Sequence, residues 1–216
     1  ASNILNLKKD SVAVNKLTIG DGARIQNSSQ NLTLNINDDL IIEGNNDFTP
    51  SSPFSIVFNS NKNHQLIFDT NILNFNSIEL LGQDTLEFNH STKYELNLSR
   101  INLSESSLLS LANCELAITG NNVLSENLSN GKIKFGNQSN LLINANPTQD
   151  LFLNLEENGN ILKNLTFNIT NASKIIVSDS LKIYGRIEAE NGTLASGGYL
   201  QFLATDSMTA YIINDL

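Results

Sequence analysis

An all-β, right-handed parallel β-helix of about ten irregular coils is the predicted fold, on three observations. Short runs of Leu, Ile, Phe and Val recur along all 216 residues, each run stops at Asn, Asp or Gly, and no window sustains a helical period. Charged residues make up only 16% of the chain, so its polar surface must be built from amides and hydroxyls. Asn fills about one position in six. It competes for backbone groups in helices and strands but suits left-handed turns, so a chain this rich in Asn needs many turns.

Taken in order, the strand-like runs begin with Leu17-Thr-Ile-Gly20, Asn31-Leu-Thr-Leu-Asn-Ile36 and Ile41-Ile-Glu-Gly44. They continue through Gln65-Leu-Ile-Phe-Asp69, Glu79-Leu-Leu-Gly82, Thr85-Leu-Glu-Phe-Asn89 and Tyr94-Glu-Leu-Asn-Leu98. Ala117-Ile-Thr-Gly120, Lys134-Phe-Gly136, Asn140-Leu-Leu-Ile-Asn144 and Leu151-Phe-Leu-Asn-Leu155 follow. Asn164-Leu-Thr-Phe-Asn168, Ser180-Leu-Lys-Ile-Tyr-Gly185 and Ala210-Tyr-Ile-Ile-Asn214 close the series. Alternation within a run puts one set of side chains inward, where it stacks on the next coil.

Gly44, Gly82 and Gly120 are spaced 38 residues apart, which reads as two coils of about 19 residues each. At roughly 20 residues per coil the chain makes about ten coils and a rod on the order of 50 Å long. Asn at the corners is expected to satisfy backbone groups and to stack with Asn above and below. Loops are expected at 47–53, 59–64, 126–131, 147–150, 156–160 and 191–198, where Pro, Gly and polar residues cluster. A β-sandwich or up-and-down barrel is the alternative, but only Asp21-Gly22, Asn130-Gly131, Asn158-Gly159 and Asn191-Gly192 offer two-residue hairpin signals.

Residues 1–216 read as a single domain, with 1–10 a cap or incomplete coil, and as a fragment of a longer exported protein. A net charge of −9 argues against a nucleic-acid partner, because phosphate binding needs clustered Lys and Arg. Lys8-Lys9 is the longest basic run and reads as a solvated terminus. No apolar stretch reaches the roughly 18 residues of a membrane span, so this segment is not expected to insert in a bilayer.

No catalytic, cofactor-binding or metal-ligating residues are expected. His64 and His90 stand 26 positions apart, outside any metal-ligand spacing, and read as solvated polar residues. Cys114 reads as a small strand residue and not as a nucleophile. Asp38-Asp39 and Glu156-Glu157 are neighbours in sequence, which sends them to opposite faces of a strand or leaves them solvated at a turn. Eleven Asn-x-Ser/Thr triplets follow from composition and do not imply glycosylation. Arg186-Ile-Glu188 departs from the Arg-Ile-Lys of polygalacturonases at its last residue. A carbohydrate-active β-helix enzyme, a polysaccharide lyase or hydrolase, is therefore the minority reading, and it requires carboxylates assembled across coils.

Irregular coils, Asn-rich turns, few charges, one Cys and an acidic pI resemble the passenger domains of bacterial autotransporters, with rickettsial surface antigens the nearest compositional likeness. Phe58-Asn-Ser-Asn61 and Phe68-Asp-Thr-Asn71 are similar to the Phe-x-x-Asn tetrapeptide of chlamydial polymorphic membrane proteins, and Gly197-Gly-Tyr-Leu200 stands nearest to their Gly-Gly-Ala-Ile motif. The resemblance implies export through a C-terminal membrane barrel outside this chain and display at the bacterial cell surface. It further implies an extracellular, non-catalytic virulence factor, an adhesin or structural stalk whose partner is a host-cell surface protein or glycan.

Overall fold

A computed structural model describes residues 4–7, 10–27, 32–44, 54–120, 131–203 and 211–214. The expected loops at 47–53 and, but for Gly131, at 126–131 fall outside these residues, as do Lys8 and Lys9.

Every strand pairing among the described residues is parallel. Parallel neighbours cannot be joined by two-residue hairpins, so the sandwich and barrel alternatives fall and a β-solenoid remains. The chain visits three sheets in turn on each coil. The first sheet stacks Ser11–Val14, Thr33–Ile36, Ser55–Phe58, Ser77–Leu80 and Arg100–Leu103. The second stacks Leu17–Ile19, Leu40–Ile42, Asn63–Phe68, Thr85–Asn89, Leu108–Leu111 and Lys132–Phe135. The third is the tallest, seven strands from Ile72–Asn74 to Tyr211–Asn214.

Later coils continue in two three-stranded sheets. One contains Leu151–Leu153, Lys174–Val177 and Thr193–Ser196, the other Ile161–Leu162, Leu181–Ile183 and Leu200–Phe202. A single bridge, Ile133 to Leu155, carries the second sheet onward before a 3-10 turn at Glu157–Gly159. Near the start, Ile4–Leu7 pairs in parallel with Arg24–Asn27, so this part of the expected cap is a paired strand.

Register shows that most coils are longer than the glycine spacing suggests, although the last, in which Leu181 pairs with Leu200, takes 19 residues. Leu34, Ile56 and Ile78 are successive partners 22 residues apart, while Leu40 and Leu66 are 26 apart. The tallest sheet stacks seven strands and spans about 30 Å at the usual strand spacing, and the coil count falls slightly below the ten expected. Gly44 follows a second-sheet strand, Gly82 follows a first-sheet strand and Gly120 ends a third-sheet strand. Their 38-residue interval is therefore one coil and two further sides, and not two short coils.

Alternation within each strand builds the core. Leu73, Leu96, Leu116, Leu141, Leu165 and Ile187 form one inward column of the third sheet, and all six are buried. Burial of such a side chain contributes about 1.5–3 kcal/mol before the entropy of ordering is counted. Outward positions carry Asn instead. Asn97 donates to Asn74 at 2.9 Å, Asn164 to Asn140 at 2.9 Å, and Asn191 to Asn168 at 3.0 Å. These amide ladders lie on strands as well as at corners, because an outward strand position is as regularly repeated as a corner. Asn61 and Asn171 play the expected corner role, bonding the Gln83 amide and the Pro147 carbonyl of neighbouring coils.

Of the remaining expected loops, 147–150 and 156–160 are turns outside the sheets, apart from the 3-10 turn. At 191–198 the expectation is corrected. Thr193–Ser196 is a strand paired with Lys174–Val177, and Gly192, at φ 105°, makes the bend that precedes it.

Candidate functional site

The segment 59–64, expected to be a loop, holds a densely hydrogen-bonded polar cluster. Alternation explains why. In Asn63–Phe68, His64 shares the inward side with Leu66 and Phe68, and in the next coil Asp84 has the same parity as Leu86 and Phe88. His64 is therefore a core residue at 1% exposure, which overturns its reading as a solvated residue, and Asp84 is fully buried. The turn that brings them together needs two left-handed residues, Asn61 at φ 55° and Gly82 at φ 88°.

Three coils meet at this corner. His64 Nδ1 lies 2.6 Å from the Asp38 carbonyl oxygen on the preceding coil, and Nε2 lies 2.9 Å from Asp84 Oδ1 on the following one. Ser60 Oγ is 3.0 Å from the same Nε2. The amides of Ser60 and Lys62 donate to Asp84 at 3.2 and 3.0 Å. Burial alone would raise the Asp84 carboxyl, but the Lys62 amide, His64 and the Ser60 amide outweigh it and hold it below the usual carboxylate range.

Ser, His and Asp are all present, yet the arrangement is not a nucleophilic triad. In a triad the carboxylate orients one ring nitrogen while the other accepts the serine proton. Here Asp84 and Ser60 crowd one nitrogen, and a main-chain carbonyl holds the other. The cluster's clearest capability is mechanical, since it ties the first-to-second-sheet corner across three coils.

One corner further on, rings pack together. Phe68 contacts Phe88 and Tyr94 edge-on at 6.0 and 4.9 Å and stacks on His90 at 4.6 Å. His90 is half-buried against this cluster and also bonds the Thr92 carbonyl at 3.0 Å, so it too departs from a freely solvated residue. Tyr94 is buried beside Cys114, its partner in register, and its hydroxyl has no hydrogen-bond partner. Burial pushes both the Tyr94 hydroxyl and the Cys114 thiol up, which keeps the cysteine a neutral thiol, consistent with its reading as a strand residue.

Several outward-facing charges are paired along or between coils. Arg100 bonds Glu79 at 2.7 Å, Lys132 pairs with Glu156 at 3.3 Å, Lys16 with Asp39 at 3.9 Å, and Lys93 with Glu115. Arg186 pairs with Glu188 two residues on, at 3.1 Å, on the outer side of one strand. Of the two acidic doublets, Asp39 also accepts the Gln65 amide at 2.9 Å, while Glu157 is exposed in the 3-10 turn. A hydroxyl column that sequence reading missed runs through Ser11, Thr33, Ser55 and Ser77 on the first sheet. Its signal was the 22-residue interval shared by all four.

Among the described residues no group of three or more His, Cys, Asp and Glu is placed to hold a metal ion, and no helix is long and apolar enough to cross a membrane. Comparison with protein-family models, curated proteins and solved structures finds no match to the chain.

Proposed function

We propose that this chain is a surface-exposed or secreted bacterial β-helix passenger that acts as an adhesin or structural stalk. The supporting observation is continuity. A single apolar core runs from coil to coil, and the polar side chains outside it bond chiefly to their counterparts one coil away, as in the Asn ladders and the Glu79–Arg100 pair. Such a stack resists bending and offers a flat, repetitive exterior, which suits display of a binding surface away from a membrane.

Beads coated with the purified domain test the proposal in an attachment assay on cultured host cells. Attachment that soluble domain competes away supports the adhesin form. Domain-dependent depolymerisation of an acidic polysaccharide would overturn it in favour of a carbohydrate-active enzyme.

A further inference from the structure

Residues 132–186 reverse the charge balance of the chain, with six of its 13 basic side chains and only four of its 22 acidic ones. Register gathers three of those lysines on one side. Lys134 faces outward from Lys132–Phe135, Lys163 faces outward just after Ile161–Leu162 on the next coil, and Lys182 faces outward from Leu181–Ile183 on the coil after that. None of the three forms an ion pair among the described residues. Of the acidic residues between them, Glu156 pairs with Lys132 at 3.3 Å, Asp179 accepts the Ser180 amide at 2.7 Å, and Glu157 is exposed in the 3-10 turn. Two tyrosines share this side. The pairing of Leu162 with Ile183 continues so that Tyr184 lies beside Lys163, while Tyr199 enters the Leu200–Phe202 strand one coil beyond Lys182. At 83% exposure Tyr199 leaves most of its ring in water, where it adds nothing to the core.

We propose that this side of the later coils binds an acidic polysaccharide, a chain of sugar rings bearing carboxylates, laid along the solenoid axis. The proposal rests on the adhesin reading and names its partner. Lys134, Lys163 and Lys182 supply one unpaired cation per coil, and coils repeat at about 4.8 Å, a spacing suited to a polymer that carries its charges ring by ring. Tyr184 and Tyr199 add flat apolar faces on which the C–H edges of the rings can rest, with their hydroxyls free for the sugar hydroxyls. Nucleic acid fits less well. Duplex DNA carries a charge about every 1.7 Å and needs many clustered bases to offset it, and a chain of net charge −9 repels so dense a polyanion beyond the reach of three lysines.

Calorimetric titration of the intact domain with hyaluronate oligosaccharides at low salt tests this, with a duplex DNA of similar length run beside it. The expected result is saturable binding to hyaluronate that weakens as salt is raised and exceeds any binding to DNA. Combining Lys134→Gln, Lys163→Gln and Lys182→Gln should weaken it by about tenfold or more, and Tyr199→Ala by about threefold or more. Lys93→Gln, whose lysine pairs with Glu115 earlier in the stack, should bind as the parent does. All these side chains lie outside the core, so the urea midpoints of the variants should match the parent and show that the fold is kept. Absence of saturable binding, binding untouched by the triple lysine variant, or equal affinity for DNA overturns this surface. Cell attachment that persists without hyaluronate binding removes this partner and leaves the adhesin reading standing, whereas shortened oligosaccharides after incubation overturn the non-catalytic reading itself.

Discussion

His64 Nε2 sits 2.9 Å from Asp84 Oδ1, and these two residues belong to consecutive coils 20 positions apart in sequence. Neither side chain reaches solvent, so each depends on the other and on the turn amides for its polar contacts.

Acid should weaken this joint. The Asp84 carboxyl is depressed in the folded state, so its contribution is fully present above the ordinary aspartate value of about 3.9 and is lost as pH falls through the lower folded value. Denaturant midpoints measured from pH 6 down to pH 2 should fall in that window, and Asp84→Asn should flatten part of the decline. Asp84→Ala, which strands the ring and two amides, should cost about 3–5 kcal/mol at neutral pH.

Gly82 is required by geometry and not by flexibility. Its φ of 88° disfavours any side chain, and an added Cβ would lie 2.3 Å from Asn61 Oδ1, the acceptor of the Gln83 amide. Gly82→Ala should therefore lower stability by about 1–3 kcal/mol, read from the urea midpoint. An unchanged midpoint would show that the corner is softer than drawn.

Tyr94 offers the opposite sign. Its hydroxyl is buried without a partner, so Tyr94→Phe removes a desolvated group and keeps the ring against Phe68 and Phe88. Thermal unfolding should show a stability equal to or up to about 1 kcal/mol above the parent. A clear loss would reveal a hydrogen bond from Tyr94 to Cys114.

Cys114 itself should resist a thiol reagent in the native domain and react at full rate only in denaturant, because it is wholly buried and its thiol is held protonated. Rapid native labelling would contradict its place in the core.

Inward and outward columns should separate cleanly under alanine substitution. Leu116→Ala removes a link of a six-residue apolar column and should cost about 2–5 kcal/mol. Asn97→Ala, on the outer side of the preceding strand, loses hydrogen bonds to Asn74 and Glu95 and should cost about 1 kcal/mol or less. Chemical denaturation of the two variants side by side measures the difference.

The amino-acid order alone determined that this chain is a stack of short strands. Period-two alternation in runs such as Thr85–Asn89 and Tyr94–Leu98 is a local property, and both strands occur with those bounds. Coil length was not local. Gly44, Gly82 and Gly120 recur evenly but stand after strands of three different sheets, and only the parallel register reveals that a coil commonly takes 22 residues or more. The buried corner was half-legible. The parity of His64 with Leu66 and of Asp84 with Leu86 already pointed both inward, but what each would meet there depended on the turn length between coils. That length sets which backbone carbonyl and which carboxylate converge on the imidazole. Tertiary packing thus decided that a histidine expected in water lies in the core, because burying it is tolerable only where three coils together supply its partners.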